Sequence, residues 1–182
     1  MFKNRIENPF LRGLIEWVLA IGLAFLLFFV MRSYIFRIAH VTGDSMGPTL
    51  NHGDMVVLNR FVYLFSPPRA GDIVAFPYQE NPSEFYIKRV IGVPGDIIDL
   101  QNGEFLINGQ LLDDPFSGDF VLVSGDVNFP VEVEDGRFFV LGDNRNGSKD
   151  SRFVAVGTVP GRDMVGRVAV RIWPFGALGQ VE

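Results

Sequence analysis

Two residues of this sequence, Ser45 and Lys88, carry the side chains of a nucleophile and a base. A serine hydroxyl attacks poorly at neutral pH unless a base within hydrogen-bond reach takes its proton. A lysine amine can act as that base only when neutral, and burial lowers its pKa from about 10.4 by disfavouring the charged form. Lys88 lies in the apolar run 85–92, where strand alternation directs Lys88 and Arg89 to opposite faces. We expect an inward-facing Lys88 to be catalytic or salt-bridged, although most strand lysines simply face solvent.

The residues around Ser45 favour a reactive serine held at a turn. Gly43, two positions earlier, allows a ligand to approach the backbone closely, and Gly47-Pro48 makes a turn directly after the serine. A serine in this setting can offer its own backbone N–H to an oxyanion. Gly-Asp-Ser is also common in ordinary turns, so a turn without function is the alternative.

A third segment, 142–152, is dense in polar groups that could support a buried lysine. The Ser148 hydroxyl could orient Lys88 by accepting a hydrogen bond from its amine. Three charged residues could form a rigid support around the amine: Asp143, Asp150 and Arg152. The same segment also suits a tight turn or an Asx motif with no function.

The composition excludes several other kinds of site. The net charge of −5 comes from scattered residues, and no basic stripe exists to neutralise phosphates, so nucleic acid is not expected as a partner. The sequence contains no cysteine, which removes disulfides, thiolate nucleophiles and cysteine-based metal sites. Its two histidines, His40 and His52, do not sit in motifs with an orienting acid. A histidine-based triad is therefore the weaker alternative to a Ser-Lys pair.

The segment 13–31 is long and apolar enough to cross a membrane. Its only ionisable residue is Glu16, near the start, and about 20 apolar residues span a bilayer. We predict a transmembrane helix over 13–32 after a short tail, 1–12, with a slight charge bias towards a cytoplasmic N-terminus. A cleaved signal peptide and a buried core helix are the alternatives. No small-x-small cleavage site follows, however, and the segment is apolar on all faces.

The remainder, 33–182, has the pattern of short strands separated by turns. After a connection over 33–40, seven runs predict strands: 54–59, 72–76, 85–92, 97–100, 104–107, 138–141 and 165–173. The apolar run 61–65 is either a core strand or an exposed edge that dips into the lipid interface beside the helix. Closely spaced short strands indicate an all-β domain.

Turn residues mark an accessory part of this domain. Asn102-Gly103 and Asn108-Gly109 predict tight turns, because both residue types tolerate a positive φ. Residues 113–136 are acidic and interrupted by glycine and proline, which predicts a surface excursion. We expect a small accessory β region over about 99–137.

Three segments, in this order after an apolar helix, resemble the signature motifs of the bacterial type I signal peptidases. Residues 45–50 match the motif S-M-x-P-T-L, and residues 86–96 match Y-x-K-R-V-x-G-x-P-G-D. Residues 142–152 match G-D-N-R-x-x-S-x-D-S-R, and Gly166-Arg167 also fits. One such motif alone would be weak evidence for the resemblance, but the complete set in this order is highly specific for this family.

The resemblance implies the all-β fold that this family shares with self-cleaving SOS-type repressors. Ser45 would attack the scissile carbonyl, while Lys88 would act as general base and then as general acid. Ser148 would hydrogen-bond Lys88. Two structural ion pairs would surround the site, namely Arg89 with Asp143 and Asp150 with Arg152. No metal or cofactor is expected.

The implied substrate is the signal peptide of an exported preprotein, with small residues first and third before the cleaved bond. It would pair with strand edges as an added strand. The implied pocket residues are Val41, Thr42, Gly43, Met46, Leu50, Tyr86 and Ile87. Some members carry, at the position of Gly43, a serine whose hydroxyl completes the oxyanion hole. This sequence would depend on the Ser45 N–H and on further backbone or water.

The resemblance also implies a location. With a single anchor in the cell membrane, residues 33–182 would form an extracytoplasmic peptidase domain, close to lipid and to the protein export machinery. Two alternatives remain open on the residues alone. One is a specialised maturation peptidase of the same fold, such as a conjugation-system maturase. The other is a membrane-anchored β module that binds partners and catalyses nothing.

Overall fold

The structure, a computed structural model, describes residues 9–79, 81–113 and 120–181. One α-helix, α1 (Pro9–Tyr34), contains the predicted span 13–32. Its stretch Pro9–Phe29 has a mean hydropathy of 2.0 and is long enough to cross a membrane. None of that stretch is buried against the described part of the chain, so the core-helix alternative is wrong.

The described residues after α1 form twelve strands and four short 3₁₀ helices. In chain order the strands are β1 (Phe36–His40), β2 (Met55–Asn59), β3 (Ile73–Tyr78), β4 (Asn81–Gly92), β5 (Ile97–Gln101), β6 (Glu104–Ile107), β7 (Gln110–Leu111), β8 (Val131–Glu132), β9 (Arg137–Leu141), β10 (Val159–Pro160), β11 (Gly166–Trp173) and β12 (Gly179–Gln180). The predicted all-β domain on an N-terminal helix is therefore confirmed.

The strands build two antiparallel sheets. The larger sheet has the order β1-β2-β11-β3-β4-β9-β10, and β12 pairs with β11. The smaller sheet has the order β7-β6-β5-β8, and its strands lie between residues 97 and 132, which overlaps the predicted accessory region. In the larger sheet β4 is bordered by β3 on one side and by β9 on the other, which places the Lys88 strand in the interior of the sheet.

All seven runs predicted as strands form strands, and both predicted turns form. Asn102 and Gly103 have φ of 52° and 79°, and Asn108 and Gly109 have φ of 53° and 79°. Asparagine and glycine tolerate this left-handed backbone, which explains why their pairing was a reliable signal.

One prediction about local structure is wrong, and one of the two alternatives for the run 61–65 is excluded. Part of the predicted connection 33–40 is strand β1, which pairs with β2 along its whole length. β1 is exposed along nearly its whole length, so burial gave its sequence no clear alternation. Residues Phe61–Leu64 form a short 3₁₀ helix and not a core strand. Leu64, at its end, is 71% exposed, and Phe65, directly after it, is 75% exposed.

The apolar core contains three clusters of buried side chains, and one of them holds the segment around Ser45. One cluster of buried side chains contains Val41, Met46 and Leu50 from the segment around Ser45, packed with Val56 of β2. A second cluster lies on one face of β3, β4 and β9, and a third joins the larger sheet to the smaller one. The segment that carries Ser45 is thus fastened to the sheet by its apolar residues.

Candidate active site

Ser45 lies in a compact turn whose apolar residues point into the core. The backbone N–H of Gly47 donates to the Asp44 carbonyl at 3.1 Å, and the Leu50 N–H donates to the Met46 carbonyl at 2.8 Å. Met46 and Leu50 are buried, whereas Ser45 itself is half-buried. The turn therefore fixes the backbone of Ser45 and leaves its hydroxyl accessible from one side.

The structure brings Ser45 and Lys88 together although they are 43 residues apart in the chain. The Lys88 Nζ atom lies 2.6 Å from Ser45 Oγ. Lys88 is only 3% exposed, and its neighbour Arg89 points to the other face of β4, as the alternation predicted. When charged, the lysine donates this hydrogen bond; when neutral, it can accept the hydroxyl proton.

The environment of Lys88 favours the neutral amine. Burial lowers the pKa of Lys88 from 10.5 to about 8, and the positive charge of Arg152 acts in the same direction. The carboxylates of Asp150 and Asp143 oppose this by favouring the charged form. Because desolvation is the largest cause, a substantial fraction of the amine is neutral at mildly alkaline pH.

One of the predicted ion pairs joins β4 to the third segment. Arg89 Nε and Nη2 donate to the two carboxylate oxygens of Asp143, both at 2.8 Å, and both side chains are buried. The remaining Arg89 nitrogen, Nη1, donates to the Gly71 carbonyl at 3.0 Å. This two-pronged contact confirms the predicted pair and holds the segment after β9 against the Lys88 strand.

The other predicted ion pair lies within the third segment. Arg152 Nε and Nη2 donate to the Asp150 carboxylate at 2.7 and 2.9 Å, and neither side chain is exposed. Asp150 also accepts a hydrogen bond from the Gly142 N–H, and Arg152 donates to the Val123 carbonyl. This pair is confirmed, and its charges lie close enough to Lys88 to influence its pKa.

The predicted hydrogen bond between Ser148 and Lys88 is not formed. Ser148 is buried, but its hydroxyl has no hydrogen-bond partner among the described residues. The hydroxyl lies against Gly142, where an added Cβ would collide with Ser148 Oγ and with the Ser45 carbonyl oxygen. Ser148 is thus packed beside the Ser45 backbone, with its side chain turned towards Gly142.

Asn144 connects the third segment to the turn of Ser45, a role that sequence reasoning missed. Its backbone N–H donates to the Ser45 carbonyl at 3.1 Å, and its side chain donates to the Asp44 carbonyl at 3.2 Å. Asn144 follows Asp143 directly in the matched motif, so that motif was the available signal. The bonds align the nucleophile turn with the segment that fixes Lys88.

Gly43 adopts a backbone conformation that few other residues tolerate. Its φ is +86°, in the left-handed region, and its N–H donates to His52 Nδ1 at 3.1 Å. His52 therefore braces the turn, and in the described structure Ser45 Oγ bonds to Lys88 and to neither His40 nor His52, which counts against the histidine-triad alternative. The Ser45 N–H donates no hydrogen bond within the described residues and is available to a ligand.

A cavity of about 240 Å³ opens beside Ser45 and Lys88. Six of the predicted pocket residues line it: Val41, Thr42, Gly43, Met46, Tyr86 and Ile87. Leu50 does not line this cavity but is fully buried in the core, which corrects its prediction as a pocket residue. A groove of about 630 Å³ continues the cavity between β1 and β4 and shares His40, Thr42, Phe85, Tyr86 and Ile87 with it.

A larger cavity, of about 1210 Å³, lies elsewhere and is lined by residues such as Tyr63, Pro68 and Phe138. It contains neither Ser45 nor Lys88, so it is separate from the cavity beside these two residues. Within the described part of the chain, no group of three or more His, Asp or Glu side chains is arranged to hold a metal ion.

A β domain on an apolar helix, with a serine hydroxyl bonded to a buried lysine amine, has the organisation of a serine hydrolase. Comparison with known sequences gives the family: the profile described as signal peptidase, peptidase S26, matches residues 14–173. The chain belongs to this family and is a serine peptidase.

Individual relatives cover most of the chain. A signal peptidase I from Leptolyngbya laminosa is 39% identical over 187 residues, which cover 98% of this chain and 87% of that protein. Signal peptidase IB of Staphylococcus aureus is 35% identical over 179 residues, covering 90% and 92% of the two chains. A crystal structure of a signal peptidase I from Enterococcus faecalis is 28% identical, covers 57% of this chain and 98% of that one, and has a TM-score of 0.48.

Proposed function

We propose that this protein removes signal peptides from exported preproteins, with Ser45 as nucleophile and Lys88 as general base. The observation that carries the proposal is the 2.6 Å contact between Ser45 Oγ and the Nζ of a buried lysine. Burial lowers the pKa of Lys88 to about 8, so the amine can release its proton near neutrality and accept one from the serine.

The proposed reaction has two halves. Neutral Lys88 takes the hydroxyl proton as Ser45 Oγ bonds to the scissile carbonyl carbon, and Lys88 then gives that proton to the departing amine as the C–N bond breaks. This leaves an ester between Ser45 and the signal peptide. Water, deprotonated by Lys88, attacks the ester carbonyl, and the proton returns to Ser45 as the ester bond breaks.

The Ser45 backbone N–H is the oxyanion donor that we assign. It has no acceptor among the described residues, and it belongs to the residue whose Oγ bonds to the carbonyl carbon. The Gly43 N–H already donates to His52, and Gly43 has no hydroxyl to add. Any second donor must therefore come from elsewhere, such as a water molecule.

The substrate is expected to lie as an extended segment in the groove between β1 and β4. The edge of β1 away from β2 is unpaired in the described sheet, so a preprotein segment can extend the sheet there. The cavity beside Ser45 is small, and Met46, Tyr86 and Ile87 form its apolar walls. These dimensions favour small side chains next to the cleaved bond.

We further propose that α1 anchors the protein in the cell membrane with its N-terminus in the cytoplasm. The β domain then acts outside the cytoplasm, near lipid and the export machinery that delivers preproteins. Phe61, Leu64 and Phe65 are exposed and add an apolar surface that suits the lipid interface.

The decisive experiment compares the detergent-solubilised protein with its Ser45→Ala variant on a preprotein that carries an Ala-x-Ala site. Sequencing of the product N-terminus identifies the cleaved bond. We expect cleavage after the second alanine by the wild type and none by Ser45→Ala, whereas Ser66→Ala, in the 3₁₀ helix region, should cleave normally. Equal cleavage by Ser45→Ala and the wild type would refute the assigned nucleophile. No cleavage by the wild type between pH 7 and 9, with lipid present, would refute preprotein processing.

A further inference from the structure

Lys149 of the third segment lines the cavity beside Ser45 and contacts Tyr78 of strand β3. Its Nζ donates a hydrogen bond to the Tyr78 hydroxyl at 2.6 Å, and Lys149 lines the same cavity as Ser45. The residues on either side of it, Ser148 and Asp150, are buried. The backbone at Lys149 is therefore fixed, and its side chain extends from a rigid base to Tyr78.

Tyr78 in turn supports Tyr86 on the neighbouring strand. The two rings are stacked, with centroids 4.5 Å apart and an angle of 5° between their planes. Phe76 contacts the same Tyr86 ring edge-on at 6.2 Å. Because β3 shifts its register between Pro77 and Tyr78, the Tyr78 ring can stack on Tyr86 while Phe76 lies opposite it in the ladder.

Tyr86 links this stack to the reacting groups. It lines the cavity, and the Lys88 Nζ atom lies 5.2 Å from the centroid of its ring. A sideways movement of the ring would change both the width of the cavity and the surroundings of the Lys88 amine. The position of Tyr86 therefore matters for which side chains fit beside Ser45.

We propose that Lys149 is a positioning residue that sets the size limit of the substrate cavity through Tyr78 and Tyr86. This inference rests on the proposed function, since it concerns the residue that a signal peptide places beside Ser45. The charged amine holds the Tyr78 hydroxyl by a charge-assisted hydrogen bond, and the stacked ring prevents Tyr86 from moving outwards. A β-branched side chain is then excluded where alanine fits.

The test measures binding to the full-length protein in a Ser45→Ala background, so that it does not depend on turnover. Two labelled signal-peptide segments are compared by fluorescence anisotropy, one with alanine and one with valine before the cleavage point. Extra methyl groups are typically discriminated by about tenfold or more in a rigid apolar pocket. Lys149→Met and Tyr78→Phe should each reduce the ratio of the two Kd values to about twofold.

Three further variants sharpen the result. The variant that combines Lys149→Met with Tyr78→Phe should show the same Kd ratio as either single variant, because both changes break the same hydrogen bond. Lys149→Arg should retain the discrimination, since its guanidinium can still donate to Tyr78. Arg162→Met also removes one positive charge, but from an exposed side chain outside the cavity, and it should leave the ratio of the two Kd values unchanged.

Several outcomes would overturn the inference. A reduced ratio in Lys149→Met but not in Tyr78→Phe would mean that Lys149 acts on the peptide directly. An unchanged ratio with a lowered melting temperature would mean that the contact only stabilises the fold. If the wild type cleaves preproteins while the ratio is unchanged, only this inference fails. If neither peptide binds and the wild type cleaves nothing, the proposed function fails with it.

Discussion

The two segments that meet at the Ser45–Lys88 pair are held in different ways. The turn of Ser45 is fastened by apolar side chains, and its polar backbone at Thr42, Gly43 and Asp44 is exposed. The segment 142–152 is fastened by buried ions, and Asp143 and Asp150 use both carboxylate oxygens for hydrogen bonds.

This difference matches what each segment must do. Apolar anchoring leaves the Ser45 N–H without an acceptor among the described residues, so it can serve as the oxyanion donor of the proposed reaction. Ionic anchoring places fixed charges near Lys88, and these charges shift its pKa in opposite directions. In the proposed mechanism, the segment that contacts the substrate is therefore held by apolar packing, and the segment whose charges shift the pKa of Lys88 is held by ion pairs.

The largest effect should come from breaking the buried ion pair. Asp150→Ala leaves Arg152 buried without its carboxylate, and such a change typically costs about 3–5 kcal/mol in the free energy of unfolding. Urea unfolding followed by circular dichroism would measure the loss. The matched control is Asp163→Ala, whose pair with Arg162 is exposed and 3.8 Å long, and which should change stability very little. Equal losses in both variants would contradict the buried Asp150–Arg152 pair as the anchor of the segment 142–152.

Breaking the apolar anchor should cost slightly less. Leu50→Ala removes a fully buried side chain and should lower the free energy of unfolding by about 3 kcal/mol. Asp150→Ala removes a charge that raises the pKa of Lys88, so its loss should vary with pH between 6 and 9, whereas the loss in Leu50→Ala should not, because leucine carries no charge. Leu64→Ala, at a 71% exposed site, serves as the control in the same unfolding assay. A pH-dependent loss in Leu50→Ala would show that the two anchors are coupled.

The titration of Lys88 should determine how kcat/KM depends on pH. Below a pKa of about 8, kcat/KM should rise about tenfold per pH unit, because only the neutral amine acts as base, and it should level off above that pH. A steady-state pH profile with chemistry limiting would test this. A flat profile from pH 6 to 9 would contradict Lys88 as the base.

The titration of Lys88 should also change the free energy of unfolding with pH, in a direction that its pKa shift determines. The folded pKa of about 8 lies below the usual unfolded value of about 10.4, so the unfolded chain binds more protons between these pH values. The Lys88 contribution to the free energy of unfolding should therefore rise with pH across that window. Unfolding of Lys88→Met should lack this rise.

The smallest effect should come from the exposed side of the Ser45 turn. Gly43→Ala meets no atom within 4 Å of its new Cβ, but alanine is strained at a φ of +86°, which should cost about 1 kcal/mol. Because the strained turn carries Ser45, we expect kcat/KM to fall more than stability does. Gly176→Ala, also in open space but without a positive φ, is the control for both assays. A loss of stability with unchanged turnover would contradict this expectation.

Patterns that depend on local chemistry were predictable from the sequence. The strand runs are apolar because they are buried, and the Asn-Gly turns need a positive φ that few other residues tolerate. The meeting of Ser45 with Lys88, and both ion pairs, followed from matched motifs and not from spacing. Strand β1 was missed because it is mostly exposed and therefore lacks an apolar pattern.

Other features depend on side-chain direction and long-range contact, which a single sequence does not encode locally. Nothing in the motif indicates that the Ser148 hydroxyl turns to Gly142, or that Leu50 points into the core and away from the cavity. The bond from Lys149 to Tyr78 spans 71 residues, and the bond from Gly43 to His52 depends on the shape of the turn. These contacts became visible only in the folded chain.

The interior position of β4 in the larger sheet has a consequence for how the protein loses activity on heating. Strand β4 pairs with β3 at Lys88 and with both β3 and β9 at Arg89, whereas Ser45 lies on a turn outside the sheet. Amide protons of Arg89 and Val90, directly after Lys88, should exchange only through global opening, while those of the turn exchange through local fluctuations. The nucleophile can thus leave the base while the sheet is intact, so reversible thermal inactivation should precede melting.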